Sequence, residues 1–320
     1  MIVQFSHNGG QLDISNKSRR NGIAFQFDKG SKMSGVRFWN DEPQHKRKFI
    51  RHQGWYLENI ENKSFNPNPK QDELFFWGEW EPQSRFQLTG NSFSAKSLPH
   101  AIHSPFLSLK GIGGHNTDPF VFGDHFYYTN CKQRLSGRGS IMLSLTTGSI
   151  ILFGSEISKT HFVLDTFFVV ESSESVSSYR IHPTDYPDIL RRATIDLNGG
   201  LELWKKLYQG KMYDFKNQYE KEKPYTFCLF PCKAGSTGLG GFARPIIDVK
   251  KFGLQKVGAG TVLMSVNYSS DINFWHDIVT ELLVQGYSLG IKLEMPKVND
   301  DIELPESDKP KSTCDNKQRC

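Results

Sequence analysis

Hydrophobic positions along this chain fall in short blocks that alternate with polar residues or run continuously, and only a few segments carry helical spacing. Met1–Phe5, Gly22–Phe27, Gly35–Trp39 and Gly54–Asn59 read as strands separated by Gly, Asn and Pro. Residues Asn66 to Lys70 read as a loop, because each proline removes a backbone donor and pushes its predecessor toward extended geometry. Leu74–Trp80 and Pro119–Asn130 are aromatic-rich strand candidates. Gly148–Ser155, bracketed by glycines, and His161–Val170, largely β-branched and aromatic, predict a hairpin of buried strands. The Ser-rich stretch 171–180 reads as a loop.

Helical spacing appears later. Pro187–Ala193 and Leu201–Tyr208 carry it, split by Gly199 and Gly200. Strands are expected at Tyr225–Phe230, Thr261–Val266 and Tyr287–Leu293. Between the last two, Phe274, Ile278 and Leu282 form one stripe of a helix over Phe274–Gln285, with Gly286 placed to end it. The fold class expected is therefore α+β and β-rich, with a mixed or antiparallel sheet and a few helices in the C-terminal part. Three stretches are anticipated: a β-rich body over 1–172, an α+β part over 173–296 packed on it, and a flexible charged tail over 297–320. No internal repeat is visible.

Composition adds limits. The 320 residues include 24 Phe, 11 Tyr and 6 Trp, ample material for a core. A charged fraction of 23% and a mean hydropathy of −0.49 fit a folded chain. No run approaches the length of a membrane helix, so no membrane partner is expected. The first residues lack the pattern of a signal peptide, and a cytoplasmic location is the expectation. Five cysteines at irregular spacing do not make a disulfide framework, and Cys228 and Cys232 read as core or loop thiols.

The net charge of +5 permits a nucleic-acid or nucleotide partner. Between Lys17 and Arg51 there are ten Lys/Arg against three Asp/Glu. Lys46, Arg47, Lys48 and Arg51 form its densest part and are candidate phosphate contacts, with a solvated loop as the bland alternative. Arg244 is a further candidate anion contact beside the glycine loop 235–241. That loop lacks the features of a P-loop and reads as mobile.

Two segments are dense in chemistry. In residues 75–86, strand alternation puts Trp77, Glu79 and Glu81 on one face and Phe76, Gly78 and Trp80 on the other. Trp77 and Trp80 could wall a pocket, Ser84 and Arg85 its rim, and Glu79 and Glu81 could serve as general acid and base. In residues 115–134, Asn116, Asp118, Tyr128, Asn130 and Gln133 offer donors, acceptors and a ring to a planar ligand, and Lys132 offers a charge. The bland reading is a core tryptophan pair with solvated acids, and an Asx-type turn with ordinary surface charges. The histidines and aspartates among residues 100–125 match no metal-ligand spacing, so neither a metal nor another cofactor is expected. Ser155 stands in no nucleophile elbow, and His7 and His276 read as structural histidines.

The Trp77-Gly-Glu-Trp-Glu81, Asn116-to-Gly123, Asn130-to-Gln133 and Gly148-to-Gly154 segments together resemble an uncharacterised family of bacterial proteins, over most of residues 1–250. That resemblance implies no activity. The short strands and tryptophan-lined faces are also similar in architecture to the small barrels of PUA-like modules, which implies reading of RNA or modified bases through an aromatic pocket. No motif of those modules matches residue by residue, and a fold does not fix a function. The expected function is a nucleic-acid or nucleotide binding module with an aromatic pocket that reads modified bases. The alternatives are an enzyme acting on a nucleotide-like substrate through Glu79, Glu81 and Lys132, or a protein-interaction scaffold.

Overall fold

The computed structural model describes residues 1–7, 35–37, 47–58, 60–61, 64–65, 68–80, 82, 84–88, 98–99, 101–107, 117–129, 131–135, 138–158, 160–175, 190–191, 205–214, 226–255 and 262–298. Among them, eighteen strands form two seven-stranded sheets and two short ladders. The ladders are β4 (Ile60–Glu61) with β5 (Ser64–Phe65), and β10 (Arg134–Leu135) with β11 (Arg138–Gly139).

The first sheet contains a closed ring. β3 (Lys48–Leu57) pairs antiparallel with β6 (Lys70–Gly78), β6 with β15 (Phe230–Ala234), β15 with β18 (Ser288–Leu293), and β18 returns to β3. This four-stranded antiparallel barrel agrees with the β-rich expectation of a small barrel. Closing so few strands forces backbones together at Gly54, where a Cβ would stand 2.5 Å from the Lys292 carbonyl oxygen. From β3 the sheet continues through β8 (Ala101–Pro105), β7 (Ser84–Leu88) and β2 (Gly35–Arg37).

The second sheet is mixed. Its order is β17 (Val262–Val266), β1 (Ile2–Ser6), β12 (Ile150–Ser158), β13 (His161–Ser175), β14 (Lys206–Gly210) and β9 (Phe126–Tyr128), with β16 (Ile246–Asp248) also on β13. β1 runs parallel to β12, whereas β12 and β13 form the expected antiparallel hairpin. Every residue from Phe162 to Val170 is buried, which explains the unbroken apolar run there, interrupted only by Asp165 and Thr166.

Both sheets draw strands from either side of residue 172: β15 and β18 complete the barrel, while β14, β16 and β17 complete the mixed sheet. The C-terminal part of the chain is thus threaded through both sheets. One continuous apolar cluster joins Ile50, Phe76 and Leu289 of the first sheet to Phe153, Phe167 and Leu207 of the second.

The single described α-helix with an assigned span, α1 (Asp271–Val284), buries Phe274, Trp275, Ile278, Val279 and Leu282. The Ser270 hydroxyl accepts from the Asn273 amide at 3.1 Å, and Gly286 at φ 79° ends the helix, as its stripe predicts. Two expectations fail. Lys206–Gly210, which begins inside the segment Leu201–Tyr208 with helical spacing, is a strand, because pairing with β13 and β9 overrides local preference. The Ser-rich stretch is strand through Ser175, since β14 gives residues 172–175 a ladder to join. Of 187–193, Leu190 and Arg191 are described and helical. The candidate strand Gly22–Phe27 and residues 299–320 of the tail lie outside the described residues, while Lys297 and Val298 at its start bridge to Leu107. None of the described helices is long and apolar enough to cross a membrane.

Candidate functional site

Where the end of the barrel meets the mixed sheet, seven segments contribute polar side chains to one buried centre. Asp165, in the middle of β13, accepts from Arg47 Nε at 2.6 Å and from Arg244 Nε at 2.7 Å and Nη2 at 2.6 Å. Arg244 Nη1 also donates to the Ser155 hydroxyl of β12 at 2.8 Å. Arg47 Nη1 lies 2.7 Å from Glu79 Oε2, just past the end of β6. All five residues are nearly inaccessible to solvent. Two guanidiniums thereby face two carboxylates, the arrangement that lets charge exist in a low-dielectric interior. Burial pushes the Arg244 guanidinium down from its ordinary value, and the Asp165 carboxylate beside it opposes that shift.

On the other side of Glu79 stands His7, whose Nδ1 is 3.9 Å from Glu79 Oε2. The His7 ring stacks on Phe5, with centroids 5.7 Å apart and planes within 8°. Its Nε2 lies 3.4 Å from Cys131 Sγ. Cys131 is a partly buried thiol outside any disulfide, on a loop that other groups hold in place. Asp118 accepts from the Cys131 amide at 2.6 Å and from the Thr129 amide at 3.1 Å, and the Tyr128 hydroxyl donates to the Cys131 carbonyl at 2.5 Å. Lys132, next in sequence, holds φ 62°, the single positive φ outside glycine among the described residues.

A cavity of about 20 Å³, the size of one water, is lined by Arg47, Glu79, Thr117, Asp118, Asp165, Thr166 and several apolar side chains. Thr117 is buried on its edge, and its hydroxyl makes no hydrogen bond in the structure.

The residues anticipated from sequence separate into groups. Glu79, Arg47, Arg244 and Asp118 come together in this centre. Arg47 and Arg244 spend their guanidiniums on buried carboxylates, and Lys48 is buried too, so these side chains form no exposed track for phosphates. Arg51 is half-exposed and reaches Ser104 and Glu73. Trp77 is buried against Phe49 and Phe242 and donates its indole N–H to the Phe242 carbonyl, on the face opposite Phe76 and the cavity. Trp80 is core, with Phe122 edge-on at 4.6 Å. Tyr128 stacks on Tyr208, and burial pushes its hydroxyl well above the ordinary value. These three rings are packing rather than an open wall.

Ser84 meets His103 Nδ1 at 2.9 Å, both buried, while Arg85 is exposed over Phe106. Gln133 is buried and spent on the backbone of Lys205 and Lys206. Lys46, Glu81, Asn116 and Asn130 lie outside the described residues. Among the described residues, no group of three or more His, Cys, Asp or Glu could hold a metal ion. Sequence reasoning missed His7, Cys131, Ser155 and Asp165. Asp165 alone left a signal, a lone carboxylate in an apolar strand.

An open cleft of about 320 Å³ shares Phe122 with the lining of the buried centre. Trp55, Phe120, Phe122 and Tyr127 wall it, and Asp124, Lys292 and Glu294 supply charge. Lys292 Nζ sits 5.3 Å from the Trp55 ring centre and donates to Asp124 at 2.8 Å. That hydrogen bond holds the Asp124 carboxyl below its usual range. Burial pushes the Tyr127 hydroxyl up to about 12, and like any tyrosine it is a donor at neutral pH.

The chain matches no protein-family model, no curated protein and no solved structure.

Proposed function

We propose that this chain binds a nucleotide-like small molecule, a planar base carrying polar substituents, in the cleft beside Trp55. The observation that carries the reading is the meeting of aromatic walls with Lys292, Asp124 and Glu294 around a space within the range of small-ligand sites. Aromatic faces give a base stacking area, the carboxylates accept from its amino groups, and Lys292 offers a cation to a phosphate or a carbonyl. The burial of Arg47, Lys48 and Arg244 favours a mononucleotide over a long polymer, because those cations are turned inward.

The test is calorimetric titration with a panel of mononucleotides and nucleosides, alongside single- and double-stranded nucleic acids at several salt concentrations. Binding of a mononucleotide is expected, weakened about 5- to 150-fold by Trp55→Ala if the ring stacks. Lys292→Ala should weaken nucleotides more than nucleosides. No nucleotide binding, or binding indifferent to Trp55→Ala, would overturn the proposal. Tight, salt-dependent binding of nucleic acid alone would replace it with the polymer reading.

A second reading, an enzyme acting on a nucleotide-like substrate, is favoured by the position of Glu79, which the fold draws into a buried centre beside His7 and Cys131. There Glu79 is the acid or base of the pair first considered, with Lys132, next to Cys131 in sequence, as the electrostatic partner. A pH–rate profile unchanged by Glu79→Gln would remove Glu79 from that role.

A further inference from the structure

We propose that Cys131 is a nucleophile activated by His7, with Glu79 as the positioning residue behind the imidazole. Three features bear on the thiol or on the groups that hold it. The Cys131 Sγ to His7 Nε2 separation of 3.4 Å is within sulfur hydrogen-bond reach, and His7 Nδ1 faces Glu79 at 3.9 Å. Nucleophile, base and a third group that orients the base are the arrangement from which covalent catalysis is recognised. The loop carrying the thiol is held by Asp118 on two amides and by Tyr128 on the Cys131 carbonyl, and Lys132 bears an unfavourable φ beside it. A strained residue next to a reactive side chain, tied down by buried hydrogen bonds, is how a fold fixes a reacting group. Finally, Glu79 and Asp118, the carboxylates that back the pair, also line a water-sized cavity with the buried Thr117 hydroxyl, which makes no hydrogen bond in the structure.

The remaining cysteines of the core contrast with it. Cys228 and Cys232 are fully buried, and burial pushes both thiols far above their ordinary value. Cys228 instead contacts the backbone of Val169, at 3.1 Å from its amide.

The reaction class is addition to an electron-poor sp² carbon of a small substrate. The Cys131 S–H proton passes to His7 Nε2 while the sulfur lone pair forms an S–C bond. The π electrons of the attacked double bond move to its other atom, which then takes the proton back from His7. Atoms and electrons balance without an oxidant or a further reactant, and the adduct reverses by the same path. Among the described residues, the groups that face the pair include Glu79 behind His7, Asp118 and Tyr128 beneath Cys131, and Lys132 next in sequence; Arg47 neutralises Glu79 from the far side.

The inference stands apart from the cleft, because the thiol can be read whether or not any nucleotide binds. The experiment is alkylation of the full chain with iodoacetamide from pH 5.5 to 9.5, with each cysteine followed on its own peptide by mass spectrometry. In the native protein Cys131 should react at pH 6.5 about tenfold faster than a free thiol such as glutathione, with a profile flattened toward acid pH. Cys228 and Cys232 should stay unmodified until the protein is unfolded. His7→Gln should return Cys131 to the profile of an ordinary thiol, and Glu79→Gln should shift the profile while leaving Cys131 accessible. Circular dichroism identifies a variant that has lost its fold, and the wild-type profile then decides alone. A wild-type Cys131 that reacts no faster than glutathione across this range, or a folded His7→Gln variant with an unchanged profile, would overturn the proposal.

Discussion

Replacing Asp165 with asparagine tests the central electrostatic claim. The change keeps the volume of the side chain but removes one of the two carboxylates facing two buried guanidiniums. Three hydrogen bonds of 2.6, 2.7 and 2.6 Å lose their charged acceptor. At roughly 1.5–3 kcal/mol each for a bond to a charged group, their sum would approach or exceed the low end of a domain's whole stability, about 5–15 kcal/mol. Such terms do not add, and the measured cost of breaking a buried pair is about 3–5 kcal/mol, much of it the charge left uncompensated. Asp165→Asn is therefore expected to lose about 3–5 kcal/mol in urea unfolding followed by tryptophan fluorescence and circular dichroism. Removing a cation together with the anion, as Asp165→Leu with Arg244→Met, should cost less than Asp165→Asn alone, because it leaves Arg47 opposite Glu79. A loss below about 1 kcal/mol for Asp165→Asn would mean that the network is not carrying buried charge, and the reasoning would fail.

Two other outcomes follow from packing and burial. Gly154→Ala would put a Cβ 2.0 Å from the Val163 carbonyl oxygen at the β12–β13 register shift, so a loss of more than about 2 kcal/mol, or failure to fold, is expected in the same unfolding assay. Tyr127, Tyr208, Tyr213 and Tyr287 are each pushed up to about 12, chiefly by burial. Above pH 10 the unfolded chain releases these protons while the folded chain retains them, so stability should fall between pH 10 and about 12, and ultraviolet absorbance should show tyrosinate appearing together with unfolding.

The parts of this fold legible in sequence are those set by local pattern. The β12–β13 hairpin follows from two apolar runs a short turn apart, and α1 from its stripe and Gly286 stop, although its first turn, capped by Ser270, begins before the stripe. Lys206–Gly210 was not legible, because its strand state comes from partners distant in sequence, β9 and the extension of β13. The site divides the same way. Alternation along residues 74–80 separates the core face of Phe76 from the face of Trp77, but β6 ends at Gly78, so Glu79 leaves the Trp77 face and turns into the buried centre. Arg47 and Lys48 look like a surface stretch in sequence, where nothing records that Asp165, 118 residues further on, stands opposite Arg47. His7 and Cys131 are 124 residues apart, and neither has a sequence neighbour that announces the other.

The stability test and the thiol test meet at Glu79. Its Oε2 is near both Arg47 and His7, so the charge network and the Cys131 pair share one carboxylate. In Asp165→Asn, Arg47 keeps Glu79 as its remaining anion in this network, and the attraction between them is no longer divided with Asp165. Glu79 would be drawn toward Arg47 and away from the imidazole. A network that positions the nucleophile therefore predicts that folded Asp165→Asn protein has a Cys131 alkylation profile moved toward that of an ordinary thiol. A network that only clamps β13 against the start of β3 predicts the stability loss without that movement. Measuring both on one variant separates a charge cluster kept for the fold from one that also serves the thiol.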